Sequence, residues 1–354
     1  MEFVEVVIQI LKEVFPRTGT SGGAELPPNL RLTSVTLLEF HVKTAEFVPE
    51  QARNFRGWSP SSTSPPTRPA SSCGRLASFL EACSGNPYVL GCQGLARDPR
   101  TGNLCFVMEY VEALSLNDLF WETRHGPRLP EPTVRAFMRK LLTGAKMMHE
   151  CHVVHRDIKP ANILVAGAEE EDVRSWPLGL AISMTDPPPY NQAGTLTYMA
   201  PEMLLEKTDY DALVDTWSLG CVMAELVTGE ALFNDEDDKD DGNESLSQLC
   251  SIFSVLGVPS DKSWPEFMSL PLAGEALRVL PAMVHPQHSK LREMFPKETL
   301  SADGFRVLEG LLTCNPAKWL TAAAALKLPW FVALRPAAAT AATTSAPALP
   351  TKKP

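Results

Sequence analysis

The sequence predicts an α+β chain in two lobes, an incomplete β-rich one followed by a larger, mostly helical one. Three observations carry that expectation. Leu104-Cys105-Phe106-Val107-Met108 is a short apolar run behind Gly102-Asn103, the pattern of a buried strand. Val134, Phe137, Met138, Leu141, Leu142, Ala145 and Met148 mark one face of a long helix, with Pro130 and Pro132 at its start, where proline is tolerated. Residues 216–227 are apolar almost all round, as in a helix sunk in a large core.

The other segments follow in chain order. Val4, Val7, Ile8, Leu11 and Phe15 stand at helical spacing, which predicts a short amphipathic helix over 1–15. Residues 57–72 are rich in Ser, Pro and Thr and read as a linker or disordered loop. Val153-Val154 and Ile163-Leu164-Val165 read as short strands on either side of a polar stretch. The acidic run from Asp235 to Asp241 reads as a solvated loop. Helical patterns return at 304–313 and 321–327, and an Ala/Thr/Pro tail follows Arg335.

A length of 354 residues leaves room for two domains or one bilobal one. The net charge of −10 argues against nucleic-acid and anionic-membrane partners. Met1-Glu2-Phe3-Val4-Glu5 puts acids where a signal peptide needs bases, and no apolar run is long enough to span a bilayer. The expectation is a soluble intracellular protein of the nucleus and/or cytoplasm. Eight scattered cysteines with no Cys-x-x-Cys pair fit buried free thiols in a reducing compartment better than a zinc site.

The most informative string is His155-Arg156-Asp157-Ile158-Lys159-Pro160-Ala161-Asn162. It resembles the catalytic loop of eukaryotic Ser/Thr protein kinases, with Lys159 marking the serine/threonine form. Further matches follow in family order. Gly194-Thr195-Leu196-Thr197-Tyr198-Met199-Ala200-Pro201-Glu202 resembles the end of an activation segment, and Asp215-Thr216-Trp217-Ser218-Leu219-Gly220-Cys221 resembles the buried helix that holds the catalytic loop. Met108-Glu109-Tyr110-Val111 fits a gatekeeper and hinge. Gln248 to Pro259, followed by Trp264-Pro265, is similar to a stretch distinctive of the cyclin-dependent branch, and the chain particularly resembles the plant F-type members of grasses.

The resemblance covers roughly residues 73–331 and implies a bilobal protein-kinase-like fold. It divides the chain into a non-matching segment with its linker (1–72), a partial N-lobe to the hinge (73–111), a C-lobe (112–335) and a disordered tail (336–354). Phosphoryl transfer to a hydroxyl needs a proton acceptor, neutralised phosphates and in-line positioning. By resemblance, Asp157 orients the hydroxyl and takes its proton, Lys159 reaches the transferring phosphate, and Asn162 binds one Mg²⁺. Thr195 hydrogen-bonds the Asp157–Lys159 pair. Arg156 grips the activation segment, and Asp215 holds the loop backbone. Met108, Glu109 and Val111 meet the adenine edge of a nucleotide, and Leu164 lies beneath it. ATP and Mg²⁺ are the implied cofactors. The implied partner is a protein substrate or docking protein, with a cyclin expected from the family alone.

Five departures each remove a charge or a phosphate contact that this chemistry uses. Pro177-Leu178-Gly179 stands where the Mg²⁺-binding Asp-Phe-Gly belongs, and proline offers no oxygen to a metal. Leu76 replaces the glutamate that pairs with the phosphate-gripping lysine, and Gly19, Gly22 and Gly23 do not form a glycine-rich loop. No Val-Ala-Ile-Lys strand is present; the best substitute is Lys43, read either as a nucleotide ligand or as an ordinary surface lysine, and its distance from Leu76 is longer than the family uses. Trp319 occupies the place of the arginine that normally pairs with Glu202. In the activation segment, Tyr190 stands in the place of the activating threonine, twelve residues before Glu202. Gly194 and Met199 replace residues that shape a pocket for proline after the phosphoacceptor. Three readings stay open: a weakly active kinase, a pseudokinase scaffold, and a decayed kinase gene product.

Overall fold

Strand β1, Cys92–Arg97, pairs antiparallel with β2, Leu104–Met108, so the apolar run read from the sequence does form a strand. The structure, a computed structural model, describes residues 78–97, 104–108, 114–118, 128–166, 172–175, 178–233, 244–279 and 289–332. The expected 1–15 helix, the 57–72 linker, the acidic run and the C-terminal tail lie outside the described residues.

Two further small sheets fix the centre of the molecule. Strands β3 (Leu114–Ser115), β5 (Ile163–Ala166) and β6 (Asp172–Ser175) form a three-stranded antiparallel sheet with β5 in the middle. Strands β4 (Val153–Val154) and β7 (Ile182–Ser183) form a two-stranded ladder, with Val154 opposite Ile182. Residues 155–162 therefore leave one ladder and enter another, which anchors the polar stretch at both ends.

The helical lobe is built on α1 (Glu131–Glu150). Its seven predicted apolar positions are all buried, and so is Gly144. A Cβ at Gly144 would stand 2.9 Å from Cβ of Tyr88, so the glycine admits the segment 86–90 against the helix. Glu131, at the first turn, accepts from the Ser301 amide (2.9 Å), Ser301 Oγ (2.6 Å) and Trp330 Nε1 (2.5 Å). Burial opposes its ionisation, but the Ser301 and Trp330 bonds and the Arg135 charge hold its pKa below the ordinary value.

Helix α2 is short, Pro201–Leu204, and α3 spans Leu213–Thr228. Every residue of α3 from Val214 to Val227 is buried, as its all-round apolar pattern predicts, and Gly229 ends it in the left-handed region at φ 83°. Helices α4 (Glu244–Leu256), α5 (Ala273–Val279) and α6 (Leu291–Met294) follow. Then come α7 (Ala302–Leu311), α8 (Ala322–Ala325) and α9 (Pro329–Val332). Helices α1 and α7 both pack on α3. Ser301 and Thr321 cap α7 and α8 by accepting from the Gly304 and Ala324 amides, which sets starts the sequence pattern left blurred. The result is an α+β molecule with a small strand-rich front and a helical lobe.

Among the described cysteines, Cys83 and Cys221 are buried free thiols, Cys250 and Cys314 are half-buried, and Cys151 is exposed at the end of α1. No described helix is long and apolar enough to cross a membrane.

Candidate active site

The site begins with one carboxylate inside α3. Asp215 is fully buried and accepts from the amides of His155 and Arg156, each at 2.8 Å, and bonds His149 Nε2 at 2.9 Å. Burial raises the cost of its charge, yet the His149 bond, the His149 and His155 charges and the His155 amide hold the pKa below the ordinary value. With its amide fixed in this way, Arg156 adopts φ 67°, a conformation a non-glycine residue seldom takes unless its surroundings impose it.

Asp157, next in the chain, is the hub of a four-residue cluster. Thr195 Oγ1 donates to Asp157 Oδ1 at 2.7 Å, and Asn162 Nδ2 donates to Asp157 Oδ2 at 2.9 Å and to its carbonyl at 2.8 Å. Lys159 Nζ lies 3.3 Å from Asp157 Oδ2 and donates to Thr195 Oγ1 at 2.7 Å. All four side chains are half-buried. The arrangement offers a pre-oriented carboxylate to a hydroxyl proton, with an ammonium beside it.

The segment from Leu178 to Glu202 closes on this cluster. Gly194 has φ 121°, and a Cβ there would stand 2.3 Å from the Arg156 carbonyl oxygen, so only glycine passes this point. The Arg156 guanidinium donates to the carbonyls of Leu180 and Asn191 and to the Tyr210 hydroxyl. At the far end Glu202 is buried, and its Oε2 has no hydrogen-bond partner among the described residues. Its pKa is pushed up to about 8: burial is the main cause, with its own amide and Lys207 opposing and Asp211 adding to the rise. Trp319 packs its ring against Trp217 at 5.3 Å and donates from Nε1 to the Thr313 carbonyl at 2.6 Å. Trp319, expected in the arginine's place, thus spends its polar atom on Thr313, and Glu202 stays inside rather than turning to water.

Asp157, Lys159, Asn162 and Thr195 come together within hydrogen-bonding reach. Met108 ends β2 opposite Cys92, and Leu164 is half-buried in β5 between Ser115 and Arg174. Glu109, Val111 and Lys43 lie outside the described residues, as do Leu76 and Pro177. Sequence reasoning missed His149, Asn191 and Tyr210, whose contacts reach across the chain with no local spacing to reveal them.

A loop held by a buried helical aspartate, with an Asp-Lys-Asn-Thr cluster beneath a folded-back segment, defines a protein kinase. A family model described as the protein kinase domain matches residues 73–331, and the chain belongs to that family. Within it the chain falls in the cyclin-dependent branch of Ser/Thr kinases. It is 42% identical over 263 residues to cyclin-dependent kinase F-2 of Oryza sativa subsp. japonica, covering 73% of this chain and 76% of that protein. It is 37% identical over 268 residues to cyclin-dependent kinase G1 of Arabidopsis thaliana, covering 73% of this chain and 40% of that one. Cyclin-dependent kinase G-2 of Oryza sativa subsp. indica is 37% identical over 256 residues, covering 70% of this chain and 33% of that one. The chain therefore spans about three quarters of the F-type relative but two fifths or less of the G-type ones.

Kinases of this family use ATP and Mg²⁺, and Mg²⁺ is usually held by one or two carboxylates together with phosphate oxygens. The donors here do not match that set. Both Asp157 oxygens already receive Thr195, Asn162 and Lys159, and Asn162, whose amide nitrogen donates to Asp157, has only its neutral Oδ1 to offer a metal. Among the described residues no group of three or more His, Cys, Asp or Glu could hold a metal ion. Proline at 177 adds no oxygen.

Proposed function

We propose that this chain is a cyclin-dependent-type Ser/Thr protein kinase domain whose phosphoryl transfer is severely weakened. The proton acceptor Asp157 is kept, and most of the phosphate-gripping charges are gone. The observation that carries this reading is Pro177 in front of Leu178-Gly179, where the family places the metal-binding carboxylate. Leu76 in place of the lysine-pairing glutamate supports it. Losing one electrostatic stabiliser of a transition state costs roughly 10²–10³-fold in rate. Such losses do not simply multiply within one machine. Even one of them takes a family turnover of roughly 1–100 per second to about 1 per second or far below.

The substrate class is a protein serine or threonine, with ATP as donor in whatever transfer persists. A protein-docking scaffold is the second reading, favoured by the well-packed core of the described helical lobe that carries this reduced site. A cyclin partner rests on the names of the relatives alone.

The test pairs thermal shift with ATP, with and without Mg²⁺, and phosphate transfer to a generic protein substrate beside an Asp157→Asn control. The expected result is transfer at least about 100-fold below that of a typical family member, falling to background in the variant. A Mg²⁺-dependent shift with full-rate transfer that Asp157→Asn abolishes overturns the proposal. A well-folded protein with neither nucleotide shift nor transfer is the scaffold.

A further inference from the structure

Arg156 brings a charged head group into the protein with no carboxylate paired to it among the described residues. Its Nε donates to the Leu180 carbonyl at 2.7 Å. One terminal nitrogen donates to the Tyr210 hydroxyl at 2.8 Å, to the Asn191 carbonyl at 3.1 Å and to Asn191 Oδ1 at 3.3 Å. All these acceptors are neutral. None of the ion pairs among the described residues includes Arg156.

Tyr210 closes the arrangement. It is buried, and its hydroxyl accepts from Arg156 while donating to the Asn191 carbonyl at 2.7 Å, so guanidinium, phenol and peptide form a triangle. Next to it the Tyr190 amide donates to the Thr208 carbonyl at 2.7 Å, and the Tyr190 ring tilts against the Tyr210 ring at 5.5 Å. Three separated stretches, around 156, 180–191 and 208–210, are thereby pinned at one point. Burial raises the Tyr210 pKa, outweighing the Arg156 bond and charge, so the hydroxyl keeps the proton that it donates. Ordering of a kinase activation segment by phosphorylation works by giving such an arginine a doubly charged acceptor. Here the acceptors are already in place, and the Tyr190 hydroxyl is engaged locally with the Asp186 carbonyl at 2.6 Å.

We infer that Tyr210 is a positioning residue that docks the activation segment on Arg156 without phosphorylation, its neutral hydroxyl taking the contact that a phosphate would otherwise make. The inference concerns order in the segment and does not depend on the rate of phosphate transfer.

Hydrogen exchange on the full chain after phosphatase treatment tests it. The reporters are the amides of Met184, Asp186 and Tyr190, which donate to His152, Ser183 and Thr208. The expected result is protection of these amides in the unphosphorylated wild type. Tyr210→Phe, which keeps the ring and removes the hydroxyl, should speed exchange at Tyr190 by roughly 10- to 100-fold with α3 peptides unchanged. Tyr190→Phe should change it less than about twofold, because the amide and ring contacts remain. If Tyr210→Phe also loosens α3, Arg156→Lys is measured on the same peptides and is expected to free Tyr190 selectively. The proposal is overturned if the wild-type segment becomes protected only after phosphorylation. It is equally overturned if Tyr190 exchange in Tyr210→Phe stays within twofold of wild type.

Discussion

Gly194 shows how little room a single position leaves. Its φ of 121° and the Arg156 oxygen 2.3 Å from a notional Cβ make the absent side chain a requirement. Gly194→Ala should cost roughly 1–3 kcal/mol, read as a lower urea midpoint, because both the backbone and the Thr195 contact must give. At this scale the sequence was legible where residues sit close in the chain. Asp157, Lys159 and Asn162 lie within one loop, and their pattern points to the chemistry directly. Tyr210 was not legible, because it acts through Arg156 and Asn191 from 54 and 19 residues away, and no periodicity marks such a contact.

Among the elements, α3 is the one on which the others depend. Its apolar pattern foretold a buried helix and the family resemblance placed Asp215 under the catalytic loop, but Glu225, which receives the Tyr198 hydroxyl at 2.7 Å, was not foreseen. Gly220 lets α3 meet the end of α7: a Cβ there would stand 2.7 Å from Leu312 Cγ and 3.0 Å from Leu311 Cβ. Alanine has the better helix propensity, by roughly 1 kcal/mol. Overpacking a filled core typically costs about 1–3 kcal/mol, and both leucines are fully buried with no space to retreat into. Gly220→Ala is therefore expected to lower the melting temperature, with circular dichroism showing unchanged helix content. The bounds of α7 and α8 differ from the sequence reading by one or two residues, since caps such as Ser301 act where the apolar rhythm has already faded.

At the scale of the whole molecule, Glu202 ties stability to pH. Unfolded, it ionises near its ordinary 4.5, whereas folded it keeps its proton up to about 8. Between those values the unfolded chain has released a proton that the folded one still holds, so each rise in pH favours unfolding. The cost is absent below about 4.5 and complete above about 8, on the order of a few kcal/mol. Asp215 works in the opposite direction: its lowered pKa contributes stability that is lost as pH falls below 3.8. Thermal melts should thus show highest stability near about pH 5 and a decline toward about pH 8. Glu202→Gln should flatten most of that decline, with Glu225, whose pKa burial also raises, supplying the remainder; an unchanged slope in the variant would mean that Glu202 is ionised in the folded state. The two-lobed plan was legible from strand and helix patterns, while this pH dependence was half legible. Trp319 in the arginine position announced an unpaired carboxylate, but only the fold shows that Glu202 stays buried.

Asp157 is bonded to Thr195, Asn162 and Lys159 at once, and so works as a rivet between the loop and the segment that covers it. The carboxylate that receives a proton is thus also the latch that holds the covering segment down, and cutting any one of its three bonds slackens both tasks together.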